Sequence, residues 1–314
     1  MNDPHLTHRA AAPDQTVSSA EDPYPTRGAK ERLLPRQAPV VWSDGAPRGR
    51  HALSPEQLTF YDDNGYLVVP DLFTRHEIEE LLDEQHRLVR DPRMQDRPEL
   101  IMEPDSDVAR SVFNPHRFSD RFHDLSRDAR ILDKVQQLLG SETYIHHARV
   151  NIKRPLNGKS FPWHSDFETW HAEDGMPLPR AVSAWIMLSE NNRFNGPLFA
   201  MPGSHRVFVG CAGSTPDENY RQSLRHQQAG TPSGLVMRQL AERFGLDSVE
   251  GTVGSLVLHE CNLMHGSPDN LSPWPRTNLF FVYNSVTNPP AERPFAATRF
   301  RPEFLACRGA VPLR

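Results

Sequence analysis

His164, Ser165 and Asp166 place an imidazole and a carboxylate two positions apart. On an extended strand that spacing turns both side chains to one side, where they can reach a single metal ion. A third donor, His265, comes much later, in Cys261-Asn262-Leu263-Met264-His265-Gly266-Ser267. Two imidazoles and one carboxylate on one face of a metal are the set that holds non-haem Fe(II) and leaves the opposite face open. A lone His-x-Asp is weak evidence, because most such triplets are ordinary strand ends. Here the context is informative. His265 follows the aliphatic run Ser255 to Leu258, and Arg276, between Pro275 and Thr277, leads into the apolar run Asn278 to Tyr283. A guanidinium pointing into a barrel is costly unless it meets a carboxylate, which its planar fork grips through two hydrogen bonds. His-x-Asp, distal His and then Arg is the order expected of an oxygen-using enzyme that takes 2-oxoglutarate as cosubstrate.

Such a site needs a rigid frame, and the chain supplies the pattern of one. From Tyr144 onward, short β-branched or aromatic runs alternate with Gly, Pro and Asn: Tyr144 to Ile152, Val182 to Leu188, Pro197 to Met201, Gly254 to Leu258 and Asn278 to Asn284. A barrel or sandwich of short strands looks like this. Ahead of it, Ser54, Pro55 and Gln57 open a helix with a capping box, Asn64-Gly65 stops it, and Tyr66 to Val69 reads as a strand. Thr74 and Glu77 repeat the box before an apolar stripe of Ile78, Leu81, Leu82, Leu88 and Val89. A further helix is expected from Ser126 to Leu139, with Gly140 as its stop. Residues 215–250 interrupt the strand pattern between the two halves of the metal set, where a lid is useful, with a short helix expected over Leu235 to Phe244. Residues 1–50 are rich in Pro, Arg, Ala and Asp and poor in large apolar side chains, which predicts a flexible arm in front of one catalytic domain over 51–314. The expected fold class is mainly β with flanking helices.

The bulk composition excludes several functions. Thirty-five Lys and Arg against 40 Asp and Glu give a net charge of −5, with no basic block to follow a phosphate backbone, so nucleic acid is not an expected partner. Cys211, Cys261 and Cys307 are odd in number and scattered, which argues against a disulfide framework and for a reducing cytoplasm. No run approaches the roughly 20 apolar residues that cross a bilayer, so no membrane is expected. A small-molecule substrate is the expected partner, and a homodimer is compatible with the sequence.

Longer motifs extend the pattern. The run Trp163 to Pro177, WHSDFETWHAEDGMP, together with Arg110-Ser111-Val112-Phe113, Asn195-Gly196-Pro197-Leu198, Met201-Pro202-Gly203-Ser204-His205 and Phe281-Val282-Tyr283-Asn284, resembles the phytanoyl-CoA dioxygenase superfamily of Fe(II)/2-oxoglutarate oxygenases, most closely its bacterial ectoine hydroxylases. Glu103-Pro104 belongs to the same resemblance, which covers roughly residues 54–288. It implies a double-stranded β-helix, the cupin-like jelly roll, with His164, Asp166 and His265 as catalytic iron ligands. It further implies Arg276 and Ser267 on the distal carboxylate of 2-oxoglutarate, and Trp170 on the substrate. Arg149 and Asn151, on the strand before the His-x-Asp, become contacts of cosubstrate or substrate. Iron so held leaves two positions for the chelating 2-oxo acid and one for O2. Because Asp166 fills the place that halogenating relatives leave open for chloride, the reaction expected is hydroxylation.

Two positions depart from the ectoine hydroxylase pattern. His147 stands where that group generally carries Gln, and Trp185 is far bulkier than the small residues usual in its strand. Alternation puts Ser183 and Trp185 on one face, so His147, Ser183 and Trp185 join Trp170 as candidate substrate contacts. Ectoine, converted to 5-hydroxyectoine, is the leading substrate within a class of small zwitterionic amino or imino acids. The alternatives are a proline- or pipecolate-like free amino acid, an amino acid tethered to a carrier protein, and a noncatalytic metal-binding β-barrel.

Overall fold

The computed structural model describes residues 22–103, 108–224 and 227–313. Residues 1–21 of the expected arm, Pro104 of the resemblance and residues 225–226 of the expected lid lie outside the described residues. Thirteen strands are described: β1 Arg32–Pro35, β2 Tyr66–Val69, β3 Leu100–Met102, β4 Ala109–Phe113, β5 Thr143–Lys153, β6 Phe161–His164, β7 Ala181–Met187, β8 Leu198–Ala200, β9 Val207–Gly210, β10 Asp247–Val249, β11 Leu256–Glu260, β12 His265–Ser267 and β13 Arg276–Ser285. They form a major sheet in the order β2-β11-β7-β13-β5-β4-β3, a minor sheet β10-β8-β12-β6 and the pair β1-β9. All of these pairings are antiparallel. The expected double-stranded β-helix is the observed fold.

Period-two alternation divides the major sheet into two chemically different faces. Its outer face carries Ala148, Val150, Ala184, Ile186, Leu256, Leu258, Leu279 and Phe281, and these share one core with Ile78, Leu81 and Leu88 of the helix Arg75–Arg90 and Ile131, Val135 and Leu138 of the helix Ala129–Leu139. Both helices are hydrophobic on one stripe only, so burying that stripe on the sheet is what holds them. Helix starts follow the expected chemistry at two places, Pro55–Asn64 and Arg75–Arg90. Ser54 and Thr74 each make the full capping box, and Gly65 and Gly140 close their helices in the left-handed region at φ 78° and 63°. At Gly65 a side chain is also excluded by space, since a Cβ would sit 2.4 Å from Nδ1 of His205. The third helix begins later than expected, at Ala129 behind the N-cap Asp128, because Ser126 instead caps the end of a short helix Asp120–Leu125.

The inner face is polar, and its register is a grid. Arg276 of β13 lies beside Lys153 of β5; Asn278 beside Asn151; Phe280 between Arg149 and Trp185; Val282 between His147 and Ser183. On the other side of β7, His259 of β11 lies opposite Ser183. A bulge in the β13–β5 ladder between Val282 and Tyr283 shifts the register beyond this grid.

The loose arm expected over residues 1–50 is not what its described part shows. β1 pairs with β9, and Tyr24 is buried with edge contacts at 5.1 Å to both Phe167 and Phe208. Arg27 places Nε 2.6 Å and Nη2 2.8 Å from the two carboxylate oxygens of Glu168. Composition averages over the segment, whereas one buried ring, one buried ion pair and a strand ladder are enough to offset its ordering entropy. The expected lid also divides in two. Its helix, Gly234–Phe244, packs Val236 and Leu240 against Met201 and Met264 of the minor-sheet side, while Ser223, Leu224 and Gln227 reach the pocket.

Candidate active site

His164 ends β6, Ser165 is an N-cap, and Asp166 is the first residue of the helix Asp166–Asp174. The His-x-Asp therefore does not lie on one strand, as its spacing suggested. Ser165 is the reason: its hydroxyl accepts from the Glu168 amide at 3.2 Å and turns the chain from strand into helix. The two side chains still converge. His265, the first residue of β12, pairs directly across from His164. One ligand atom from each of His164, Asp166 and His265 lies within 4.8 Å of the others, and this is the one such His/Cys/Asp/Glu group among the described residues.

Each histidine is oriented by its own backbone. The Nδ1 of His164 donates to the Pro162 carbonyl at 2.8 Å, and that of His265 to the Leu263 carbonyl at 2.9 Å. Both rings thus keep Nε2 free as a lone-pair donor, the usual way a protein presents imidazole to a metal. Burial, and then the neighbouring His164, push His265 down to about 3, so it is neutral and available. Burial alone would push the Asp166 carboxyl up, but the adjacent His164 and His259 rings, the latter hydrogen-bonded to it at 3.3 Å, hold it well below its ordinary value. Two imidazole nitrogens and one carboxylate fit a divalent cation, with the oxygen and nitrogen set that suits iron.

The helix that carries Asp166 is buried on nearly every side, including Glu168, Glu173 and Asp174. Each carboxylate has a partner from a distant segment. Glu168 is held by Arg27, Glu173 accepts from Asn219 at 2.8 Å, and Asp174 is gripped by Arg301 through Nε at 2.7 Å and Nη2 at 2.5 Å. Gly230 packs so closely on the Arg27–Glu168 pair that a Cβ would lie 2.3 Å from the carboxylate. N-terminal segment, lid and C-terminal segment thus meet on the helix that aims the metal ligand.

Around the ligand set lies a pocket lined by the inner face of the major sheet. Of the residues expected in the site, Arg149, Asn151, Ser267, Arg276, Trp170, His147 and Ser183 all line it, with the three ligands, and Trp185 does not. Trp185 is inward-facing but fully buried behind the lining, stacked on Phe280 at 5.3 Å. The pocket wall is cationic. Burial lowers Arg276 to about 10, helped by Arg149 and Arg110, and its Nε has no hydrogen-bond partner; its Nη2 donates to Asn151 at 3.2 Å. The Nε of Arg149 is likewise unpartnered. Buried donors left in this state call for an anion.

Three polar residues of the pocket that sequence reasoning missed bear on its chemistry. Lys153 is buried beside Arg276, donates to Ser267 Oγ at 2.9 Å and to the Pro268 carbonyl at 2.5 Å, and is pushed down to about 6 by burial, Arg276 and Arg110. Alternation from Arg149 and Asn151 pointed to it. His259 lies next to Asp166, and its place on β11, two residues beyond the inward Val257, was the available signal. Arg301 comes from the C-terminal segment, and no local pattern marked it. His147 is pushed down to about 3 by burial and Arg149, and its Nδ1 donates to the Leu305 carbonyl at 2.8 Å, so its Nε2 can only accept.

Known proteins match this chain along nearly its whole length. The phytanoyl-CoA dioxygenase (PhyH) family model covers residues 61–278. The ectoine dioxygenase of Streptomyces coelicolor is 46% identical over 299 residues, which are 95% of this chain and 99% of that protein. That of Halomonas elongata is 44% identical over 309 residues, 96% of this chain and 92% of that one. The crystal structure of EctD from S. alaskensis with 2-oxoglutarate and 5-hydroxyectoine has a TM-score of 0.82 at 40% identity, over 93% of this chain and 96% of that one. The same protein with bound Fe also gives 0.82.

Proposed function

The chain belongs to the phytanoyl-CoA dioxygenase family, and from that premise we propose that it hydroxylates ectoine to 5-hydroxyectoine. It is a non-haem Fe(II)/2-oxoglutarate-dependent dioxygenase, with His164, Asp166 and His265 as its facial triad. The single observation that carries the substrate is the alignment of an ectoine dioxygenase with 95% of the chain at 46% identity.

Iron and 2-oxoglutarate, when bound, turn O2 into a hydroxylating agent: the 2-oxo acid loses CO2 and keeps one oxygen atom as succinate, and the other becomes the product hydroxyl. The protein's part is placement. Arg276, with Lys153 and Ser267 beside it, suits the distal carboxylate of the cosubstrate, and the fork of Arg276 has an unpartnered Nε to offer it. Arg149, held over the Phe280 ring at 5.1 Å, and Asn151 line the same pocket, where they suit the cosubstrate or the substrate.

Ectoine pairs a carboxylate with a delocalised cation on a small ring. Arg301, fixed by Asp174, supplies a guanidinium for the carboxylate, and the Trp170 ring supplies a π-face for the cation. His147, an acceptor by its tautomer, suits a ring N–H. Ser183 leaves room beside it. Cover from Ser223, Leu224 and Gln227 favours a small free molecule over one tethered to a carrier protein.

The test incubates the protein with iron, ascorbate and 2-oxoglutarate and offers ectoine, proline and pipecolate separately, with mass spectrometry as the readout. Ectoine should gain one oxygen atom with matching succinate. Oxygenation of proline or pipecolate in preference to ectoine would move the substrate within the class, and no succinate with any of the three would remove the class.

A further inference from the structure

Trp185 and His259 are inward residues on neighbouring strands, one diagonal step apart in the β7–β11 register. Both are almost completely buried. The indole Nε1 lies 3.1 Å from Nδ1 of His259, and Nε2 of the same ring lies 3.3 Å from Oδ2 of Asp166. An indole N–H can only donate. Nδ1 of His259 must therefore accept, its proton must sit on Nε2, and that N–H must point at the carboxylate. The direction of the whole chain is set by one group that has no alternative.

We propose that Trp185 and His259 form a relay of positioning residues that holds Asp166 in its metal-binding orientation. The two carboxylate oxygens are divided between two tasks. Oδ1 faces Nε2 of His164 at 3.6 Å, the metal corner, whereas Oδ2 is taken by His259. An aspartate tied at one oxygen offers the other as a single ligand, so two of the remaining positions stay open for the cosubstrate. The relay also settles a competition. The His259 ring is centred only 5.0 Å from that of His265, close enough to compete for the ion. With Nδ1 occupied by the indole and Nε2 protonated, it has no lone pair to give. Trp185 thereby keeps a third histidine out of the coordination sphere, and its bulk serves the metal rather than the substrate. This inference rests on reading His164, Asp166 and His265 as the ligands.

The experiment titrates metal-free protein with Mn(II) by calorimetry, in wild type and in Asp166→Ala, His259→Phe, His259→Gln and Trp185→Phe, with thermal unfolding recorded for each. Failure of the wild type to bind Mn(II), or full binding by Asp166→Ala, would refute the ligand reading itself. With that reading intact, His259→Phe should bind Mn(II) about 10- to 100-fold more weakly, the usual loss when a ligand's outer partner is removed. His259→Gln, whose amide can accept from the indole and donate to the carboxylate, should recover most of the loss. Trp185→Phe keeps the ring stack and loses only the donor, so it should weaken binding by a smaller factor, and it should add nothing in the His259→Phe background. Unchanged Mn(II) affinity in folded His259→Phe, whatever its unfolding temperature, would make the pair mere packing. Should that variant not fold, unchanged affinity in Trp185→Phe would overturn the relay in its place.

Discussion

Replacing Arg276 by Met separates what that residue does for binding from what it does for folding, because the two effects have opposite signs. In the folded protein its guanidinium is pushed below the ordinary arginine value, down to about 10, through burial and the neighbouring Arg149 and Arg110. That drop corresponds to about 3 kcal/mol against the charged form. Since the folded value lies below the unfolded one, the penalty is complete at pH below about 10 and disappears only above the ordinary arginine value. At pH 8 the substitution relieves it in full. Against the relief stands the 3.2 Å hydrogen bond to Asn151, with a net worth of about 1 kcal/mol. The metal-free variant should be as stable as the wild type or slightly more so, with Tm unchanged or a few degrees higher. Binding should move the other way. Removing one partner of a desolvated charge pair costs about 2–5 kcal/mol, and the remaining Lys153 and Ser267 place the loss at the lower end. The dissociation constant for 2-oxoglutarate should rise about 30- to 100-fold. Calorimetric titration of the Mn(II)-loaded protein measures the second quantity and differential scanning the first. A Tm lower by more than about 5 °C, with 2-oxoglutarate affinity within about threefold of wild type, would show Arg276 to be a structural residue and the anchor to lie elsewhere.

Asp166→Ala should abolish succinate formation and metal retention together, since iron loses its only anionic protein ligand; metal analysis after gel filtration and a succinate assay test this, and normal values would refute the ligand assignment. Lys153, at about 6 in the empty pocket, is mostly neutral at pH 8, and a bound dicarboxylate favours its charged form. Cosubstrate binding should thus take up a proton between about pH 6 and the ordinary lysine value of 10.5, so affinity falls as pH rises through that window. Titrations in buffers of different ionisation enthalpy would read that proton, Lys153→Met should remove it, and its absence in the wild type at pH 8 would contradict the assignment. Arg27→Ala strands the buried Glu168 carboxylate, a loss of about 3–5 kcal/mol. The variant should unfold about 5–8 °C earlier, whereas an unmoved transition would mean that the N-terminal segment contributes little to the fold.

Much of this molecule was legible in local pattern. Capping boxes at Ser54 and Thr74 and left-handed glycines at Gly65 and Gly140 marked helix ends because their chemistry is complete within a few residues. Strand positions followed from period-two alternation, which also indicated that Arg149 and Asn151 share a face, and the spacing of His164, Asp166 and His265 named the ligand set, with Arg276 marked as the proposed anchor. Their convergence was a different matter. The sequence placed His164 and Asp166 on one strand, and the Ser165 cap put them on consecutive elements that still meet.

What only the tertiary structure decided depends on pairings between distant segments. The burial of Arg27 against Glu168 turned a segment of disordered composition into part of the helix mount. The grip of Arg301 on Asp174 brought the C-terminal segment into the pocket. Alternation could say that Ser183 and Trp185 face the same way, but not what stands in front of each. The adjacent strand supplied His259, which draws the indole behind the pocket wall and leaves the serine at its surface. A hydrogen bond across strands is written in the register of a sheet, and register is a property of two segments together. Residue types along the chain therefore determined which chemistry is available, and the sheet determined which atoms face the metal.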